Sequence, residues 1–236
     1  MTSPTAAFEH RMLAPQKRYT PPPGAREILL VRHGSVNNDS PEMIELEGLK
    51  ISDPPLLPAG HEQAALLAAR LRHEPVAAIF TSPLQRTKQT AAPLAELTGI
   101  TPRVINQLRE AFLGDMEYDF HKRAALGDPL LKQMLAAEDF GVIPNAEKMP
   151  AFGARVRDGI DTITALLEPG ALAVAVVHAG VIGELCRQAT GSRPFGFFAP
   201  DNTSVTRLIV NADGSLLLRG FNDSSHLTGA IFSPQQ

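Results

Sequence analysis

Apolar residues crowd into short runs at 27–31, 76–80, 171–177 and 205–210, each of strand length and each continuous enough to read as a buried strand. Between these runs the period changes. Ala64, Leu67, Ala68 and Leu71 share one face of a helix predicted over 62–71, with Gly60 ahead of it. Ser82 and Pro83 read as the cap and first residue of a second helix ending at about residue 97, because proline lacks the amide hydrogen that a helix start leaves unpaired. Gly180 opens a third helix directly after the run 171–177. A short strand is expected over 102–105, and 205–210 followed by 215–219 reads as a hairpin in which Asp213-Gly214 supplies the positive φ of the turn. Strands alternating with helices predict an α/β fold.

The stretch 115–150 breaks this rhythm, with Gly127-Asp128-Pro129, Gly141, Pro144 and Pro150 around one predicted helix at 130–137. It reads as a cap inserted over the mouth of the sheet, where substrate selection resides. Residues 1–26, with Pro4, Pro15 and Pro21-Pro22-Pro23-Gly24, are expected to form a disordered or surface-draped leader, and 228–236 a tail. The remaining 27–227 form one domain, an ordinary size for a single α/β unit.

Composition narrows the function classes. A formal net charge of −3 offers no broad basic field, so nucleic acid is not expected as a partner, while a local cationic pocket for a small anion is compatible with it. No apolar stretch is long enough for a membrane span or signal peptide, and a cytoplasmic location is expected. The single cysteine, Cys186, lies in an apolar-periodic stretch and reads as core. No His or Cys pair has the spacing of a zinc site, and no cofactor is expected. Homodimerisation is left open.

Chemistry concentrates where strands end. Arg32-His33-Gly34 closes the first apolar run and His178 closes the third, the position at which open α/β sheets place ligand crevices. His33 is the candidate nucleophile, forming a covalent phosphoimidazole that splits one displacement into two easier ones. Arg32 and His33 are neighbours and would point to opposite faces of a regular strand, so a bend at Gly34 is expected to bring them together. Arg86, in the first turn of the helix after Ser82-Pro83, and Arg32 suit the grip on phosphoryl oxygens. His178 is a further donor, as a cation if a phosphate raises its pKa. Glu110 is the candidate acid for the leaving group, with Asp115 and Glu117 as alternatives close in sequence.

Leu30-Val31-Arg32-His33-Gly34, the segment 81–91 containing Ser82-Pro83-Leu84-Gln85-Arg86, the segment 108–114 containing Glu110, and Val176-Val177-His178-Ala179-Gly180 resemble, in order, the motifs of the histidine phosphatase superfamily. Lesser matches at 55–60, 147–156, 202–205 and 222–227 fill the gaps. The resemblance implies a three-layer αβα sandwich, His33 as the phosphorylated nucleophile, Arg32, Arg86 and His178 as the phosphate pocket, Glu110 as proton donor, and no metal. The family contains phosphatases and phosphoglycerate mutases; mutases usually follow the acid with Arg-His-Tyr-Gly, whereas Ala111-Phe112-Leu113-Gly114 here is closer to the phosphatase pattern. The expected activity is therefore hydrolysis of a small phosphomonoester. The rivals are a phosphoglycerate mutase and a binding module that keeps the pocket without turnover.

Four positions depart from the pattern. Val36 stands where a hydroxyl residue is common and Asp39 where an asparagine is common, leaving Asn37 or Asn38, with Asn38 the candidate, to supply a phosphate contact, which otherwise is missing or falls to Ser35. Ala179 replaces a glycine and Leu57 a threonine. His10, His61, His73 and His121 are assigned to the surface and His226 to local capping or packing.

Overall fold

The computed structural model describes residues 19–37 and 41–227. Most of the expected leader, with His10, therefore lies outside the described residues, as do Asn38, Asp39 and the tail. Of the leader residues that are described, Ala25 is buried and Arg26 already begins the first strand.

The central sheet has six strands: β1 (Arg26–Arg32), β4 (Val76–Thr81), β5 (Arg103–Val104), β6 (Leu172–Val177), β7 (Val205–Val210) and β8 (Leu216–Asp223). Their order across the sheet is β5-β4-β6-β1-β7-β8. The first four in that order run parallel, and β7 and β8 close one side antiparallel. Among the described residues six α-helices accompany it: α1 (Pro58–Leu71), α2 (Gln85–Thr98), α3 (Phe120–Ala125), α4 (Pro129–Ala137), α5 (Met149–Ala165) and α6 (Ala179–Thr190).

The pleat of β1 sorts its side chains into two dry layers. Leu29 and Val31 pack with Leu67 and Leu71 of α1 and Leu94 of α2 on one face. Ile28 and Leu30 pack with Val156 and Ile160 of α5 and Leu185 of α6 on the other. In β6 every residue is buried. A parallel strand covered on both faces must be apolar throughout, so polar chemistry is confined to its ends. This is the α/β fold that the alternating pattern predicts, in the helix-sheet-helix sandwich that the family resemblance implies.

Several boundaries differ from expectation. Helix α1 begins at Pro58, so Gly60 lies within its first turn. Helix α2 begins at Gln85, with Leu84 at the N-cap position and no side-chain cap. Ser82 is thus not the cap; its Oγ accepts from the Leu84 amide at 3.2 Å and is otherwise turned toward His178. The stretch 115–150 contains both α3 and α4, the latter capped by Asp128, whose side chain accepts from the Leu130 amide at 2.8 Å. A second, two-stranded sheet, β2 (Met43–Leu46) with β3 (Leu49–Ser52), was not anticipated. Its turn residues Glu47 and Gly48 both have positive φ, the tight hairpin geometry that Asn-Gly announces more loudly than Glu-Gly.

Gly34 acts differently from the expected bend. It does not take a left-handed φ. A Cβ there would lie 2.7 Å from the Gly60 carbonyl oxygen, and a Cβ at Gly60 would lie 2.2 Å from the Ser35 carbonyl oxygen. The two glycines let the chain leaving β1 press against the start of α1, and the Leu57 amide donates to Ser35 O at 2.9 Å across the same contact. Alanine favours an exposed helix interior by about 1 kcal/mol over glycine. At Gly60 backbone overlap outweighs that gain, so Gly60→Ala is expected to destabilise the fold by about 1–3 kcal/mol, read as a lower urea midpoint. A midpoint at or above that of the parent chain would show that this contact is looser than described.

Candidate active site

Three neighbouring strands deliver the site. Arg32 pairs with Val177 in the β1/β6 ladder, and the His33 amide donates to Val177 O at 3.0 Å. His178 follows at the next position of β6 and occupies the N-cap of α6. On the other flank Thr81 pairs with Val176, and the Ser82 amide donates to Val176 O at 3.3 Å. Parallel register thereby brings residues 33, 82 and 178 side by side at the carboxyl edge of the sheet. The His33 and His178 ring centroids are 5.3 Å apart at an interplanar angle of 59°.

The hydrogen bonds of His33 assign its tautomer. Nδ1 lies 2.8 Å from the Gly34 carbonyl oxygen, which can only accept, so Nδ1 carries the proton and Nε2 holds the lone pair. Burial, then the positive charges of Arg86 and Arg32, hold its pKa well below the ordinary histidine value. His178 is wholly buried, and its pKa is pushed well below the ordinary value by burial and then by Arg86. Its Nε2 meets Ser82 Oγ at 2.8 Å, while Nδ1 finds no hydrogen-bond partner among the described residues.

The guanidinium groups flank these rings. Arg32 donates through one Nη to Pro200 O at 2.5 Å, while its buried Nε has no partner among the described residues. Arg86 donates to Ser52 O at 2.9 Å and lies 3.5 Å from Asp53, both side chains being buried. Burial lowers the pKa of both arginines, opposed for Arg86 by Asp53 and for Arg32 by Glu110. Two crowded, desolvated cations, with polar atoms of Arg32 and His178 that lack partners among the described residues, give this edge of the sheet the chemistry that suits an anion.

Glu110 closes the arrangement. Its Oε1 accepts from the Ala111 amide at 2.9 Å and Oε2 from the Gly180 amide at 3.1 Å, at the start of α6. A Cβ at residue 180 would lie 2.5 Å from Glu110 Oε1, so glycine is what lets the carboxylate approach. Glu117 enters the same cleft, its carboxylate accepting from the Leu113 amide at 2.7 Å and the Ser52 amide at 3.0 Å. Burial raises its pKa. Asp115 does not line this cleft; it is exposed and accepts from Asn145.

Arg32, His33, Arg86 and Glu110 thus share the walls of one cleft of about 350 Å³, to which Phe120, His121 and Phe140 from the 115–150 segment contribute. His178 adjoins His33 but is covered. Ser35 and Val36 also line the cleft, and Val36 forms an isolated bridge with Leu56. Three further residues bear on the site, Asn202 and Thr90 lying in matched motif segments that assign them no role. Asn202 donates through Nδ2 to His33 O at 2.9 Å, Thr90 Oγ1 accepts from the Gly34 amide at 2.9 Å, and His121, assigned to the surface, is exposed yet faces the cleft. His226 does not pack locally; it bonds Arg70 at 3.1 Å and Thr203 at 3.2 Å, both distant in sequence, and its pKa falls to about 4 through burial and then Arg70. Cys186 is buried, and burial pushes its thiol up to about 12. Among the described residues no cluster of three or more His, Cys, Asp or Glu could hold a metal ion, and no helix is long and apolar enough to cross a membrane.

The neutral imidazoles are directly observable. In the unliganded protein, NMR titration of His33 and His178 is expected to give midpoints well below the ordinary value of about 6.5, with Arg86→Gln moving both back upward. In the pH interval between those values only the unfolded chain holds these protons. Each imidazole therefore takes away stability as pH falls below about 6.5, at up to about 1.4 kcal/mol per pH unit. Midpoints at or above 6.5 would contradict the described surroundings.

A model of the histidine phosphatase superfamily (branch 1) matches residues 28–223. A Yersinia enterocolitica protein described as "Probable phosphoglycerate mutase GpmB" is 31% identical over 169 residues, covering 71% of this chain and 76% of its own. In three dimensions the chain is similar to mycobacterial glucosyl-3-phosphoglycerate phosphatase in complex with inorganic phosphate, at 25% identity and TM-score 0.69, with 85% of this chain and 99% of that one covered. Phosphoglycerate mutase from Bacillus anthracis shares the fold at 21% identity and TM-score 0.70, with 87% and 96% covered. With the motifs in order, the sandwich in place and the family match spanning nearly the whole domain, the chain belongs to branch 1 of the histidine phosphatase superfamily.

Proposed function

We propose that this chain is a metal-independent phosphomonoester hydrolase working through a phosphohistidine at His33. The observation that carries the reading is the Nδ1 hydrogen bond of His33 to Gly34 O, which leaves an oriented lone pair on Nε2 beside Arg32 and Arg86. In the first step Nε2 attacks phosphorus, the P–N bond forms, and the ester P–O bond breaks. The departing alkoxide takes a proton from Glu110. In the second step water attacks the phosphohistidine, gives its proton to Glu110, and releases inorganic phosphate as the P–N bond breaks.

Arg32 and Arg86 neutralise the charge that gathers on the equatorial oxygens in each transition state. His178 joins them through Nδ1 if Ser82 donates its hydroxyl proton to Nε2, because the neutral ring then carries its hydrogen on Nδ1, the nitrogen without a partner among the described residues. Asn202 and the amide of Thr203, which donates to Arg32 O at 2.9 Å, position the backbone of the nucleophile segment.

A mutase reading is favoured by the name of the Yersinia relative. Against it, Ala111 and Leu113 line the cleft in the segment where mutases usually carry Arg-His-Tyr-Gly. The two readings, and that of a binding module without turnover, separate in one experiment with an aryl phosphate and 3-phosphoglycerate. Phosphate release is expected to exceed isomerisation, and His33→Ala is expected to lower it by at least about 10³-fold. Dominant isomerisation would favour the mutase. Absence of product would favour the binding module, and unchanged release in His33→Ala would remove His33 from the mechanism.

A further inference from the structure

We propose that the leaving-group half of the cleft is an aromatic-walled subsite for an uncharged, apolar alcohol, so that the preferred esters are phosphates of aryl-alkyl or similarly hydrophobic alcohols. This rests on the phosphoryl-transfer reading of the same site and adds the substrate class to it.

Beyond the phosphoryl-binding groups, the cleft is walled by Val36, Leu113, Phe120, Phe140 and Phe198. Phe198 is 45% exposed, yet its ring is held. It stacks on Phe195 at 5.0 Å and 29°, and Phe195 leans at 5.0 Å on Phe140, which is buried. The next residue, Ala199, has φ of +52°, a left-handed conformation that a residue with a side chain adopts at a cost, and Pro200 O accepts from Arg32. One short segment therefore fixes an open aromatic face and the phosphate-gripping arginine together. A propped, solvent-facing ring next to a reacting centre offers a flat apolar surface to whatever the phosphoryl group is attached to.

Charge points the same way. Arg32 and Arg86 are the only arginine or lysine side chains lining the cleft among the described residues, and both belong to the phosphoryl locus, while Glu110 and Glu117 add two carboxylates. A leaving group with its own carboxylate, as in phosphoglycerate, would meet those acids with His121 as the remaining basic side chain on the wall. An uncharged apolar group meets no such opposition.

The test compares 2-phenylethyl phosphate with glycerol 3-phosphate and 3-phosphoglycerate, all esters of alcohols, so that leaving-group basicity does not dominate the comparison. The aryl-alkyl ester is expected to have a kcat/KM at least about tenfold above either polar ester, chiefly through KM. Phe198→Ala is expected to shrink that ratio by about tenfold, and Phe198→Leu to restore part of it. Preference for 3-phosphoglycerate, or an equal effect of Phe198→Ala on all three esters, would overturn the subsite. Should no ester turn over, the hydrolase reading fails separately. The subsite is then decided by calorimetric binding of 2-phenylethylphosphonate against methylphosphonate: tighter binding of the aryl compound that Phe198→Ala removes supports it, and equal binding overturns it.

Discussion

Everything at the site depends on the parallel pairing of β1 with β6. Their register sets Arg32 opposite Val177, and so the next residue of each strand, His33 and His178, emerges at the same height on the sheet edge. Two side chains separated by most of the polypeptide are thereby brought within ring-contact range. Slipping the ladder by one residue would turn β1 inside out, moving Leu29 and Val31 into the layer that Ile28 and Leu30 occupy. The hydrophobic core therefore guards the geometry of the imidazole pair.

The electrostatics follow from where that pairing puts the charges. Burying Arg86 beside Asp53 and Arg32 beside Glu110 compensates each cation only in part, and burial of the rings, with the remaining positive field behind it, keeps both imidazoles neutral. A neutral ring with a free nitrogen is a nucleophile, whereas a protonated one is not. The positive field that adds to burial in keeping protons off His33 is also one that suits an anion. Burial at a sheet edge also excludes water from the backs of the rings, where Ser82 and the Gly34 carbonyl take its place as hydrogen-bond partners.

Much of this was legible in the linear chain because strand ends and helix starts are local signals. The apolar run before Arg32-His33-Gly34 and the Gly180 start after His178 need no knowledge of the fold, and the alternation of periods is enough for an α/β fold, while the sandwich itself comes from the family resemblance. What escaped depended on distant contacts. Gly34 was read as a bend, but its lack of a side chain is needed for the approach of Gly60 in α1. Ser82 was read as a helix cap because Ser-Pro before a helix is the usual cap pattern; a neighbouring strand claimed its hydroxyl for His178. Helix α3 was missed because six residues carry too little periodicity, and the contribution of His121 to the cleft was missed with it. Phe198 sits in a loop without pattern, and although 202–205 matches the family, nothing local indicates that Asn202 folds back onto the end of β1.

The most direct measurement of the central claim is to mix the protein with a phosphomonoester, quench in alkali within milliseconds, and locate the adduct by peptide mass spectrometry, with ¹⁵N–³¹P coupling to identify the nitrogen. The account predicts a single phosphoryl group on Nε2 of His33. A phosphoryl group on His178, on Nδ1 of His33, or on any other side chain would contradict it.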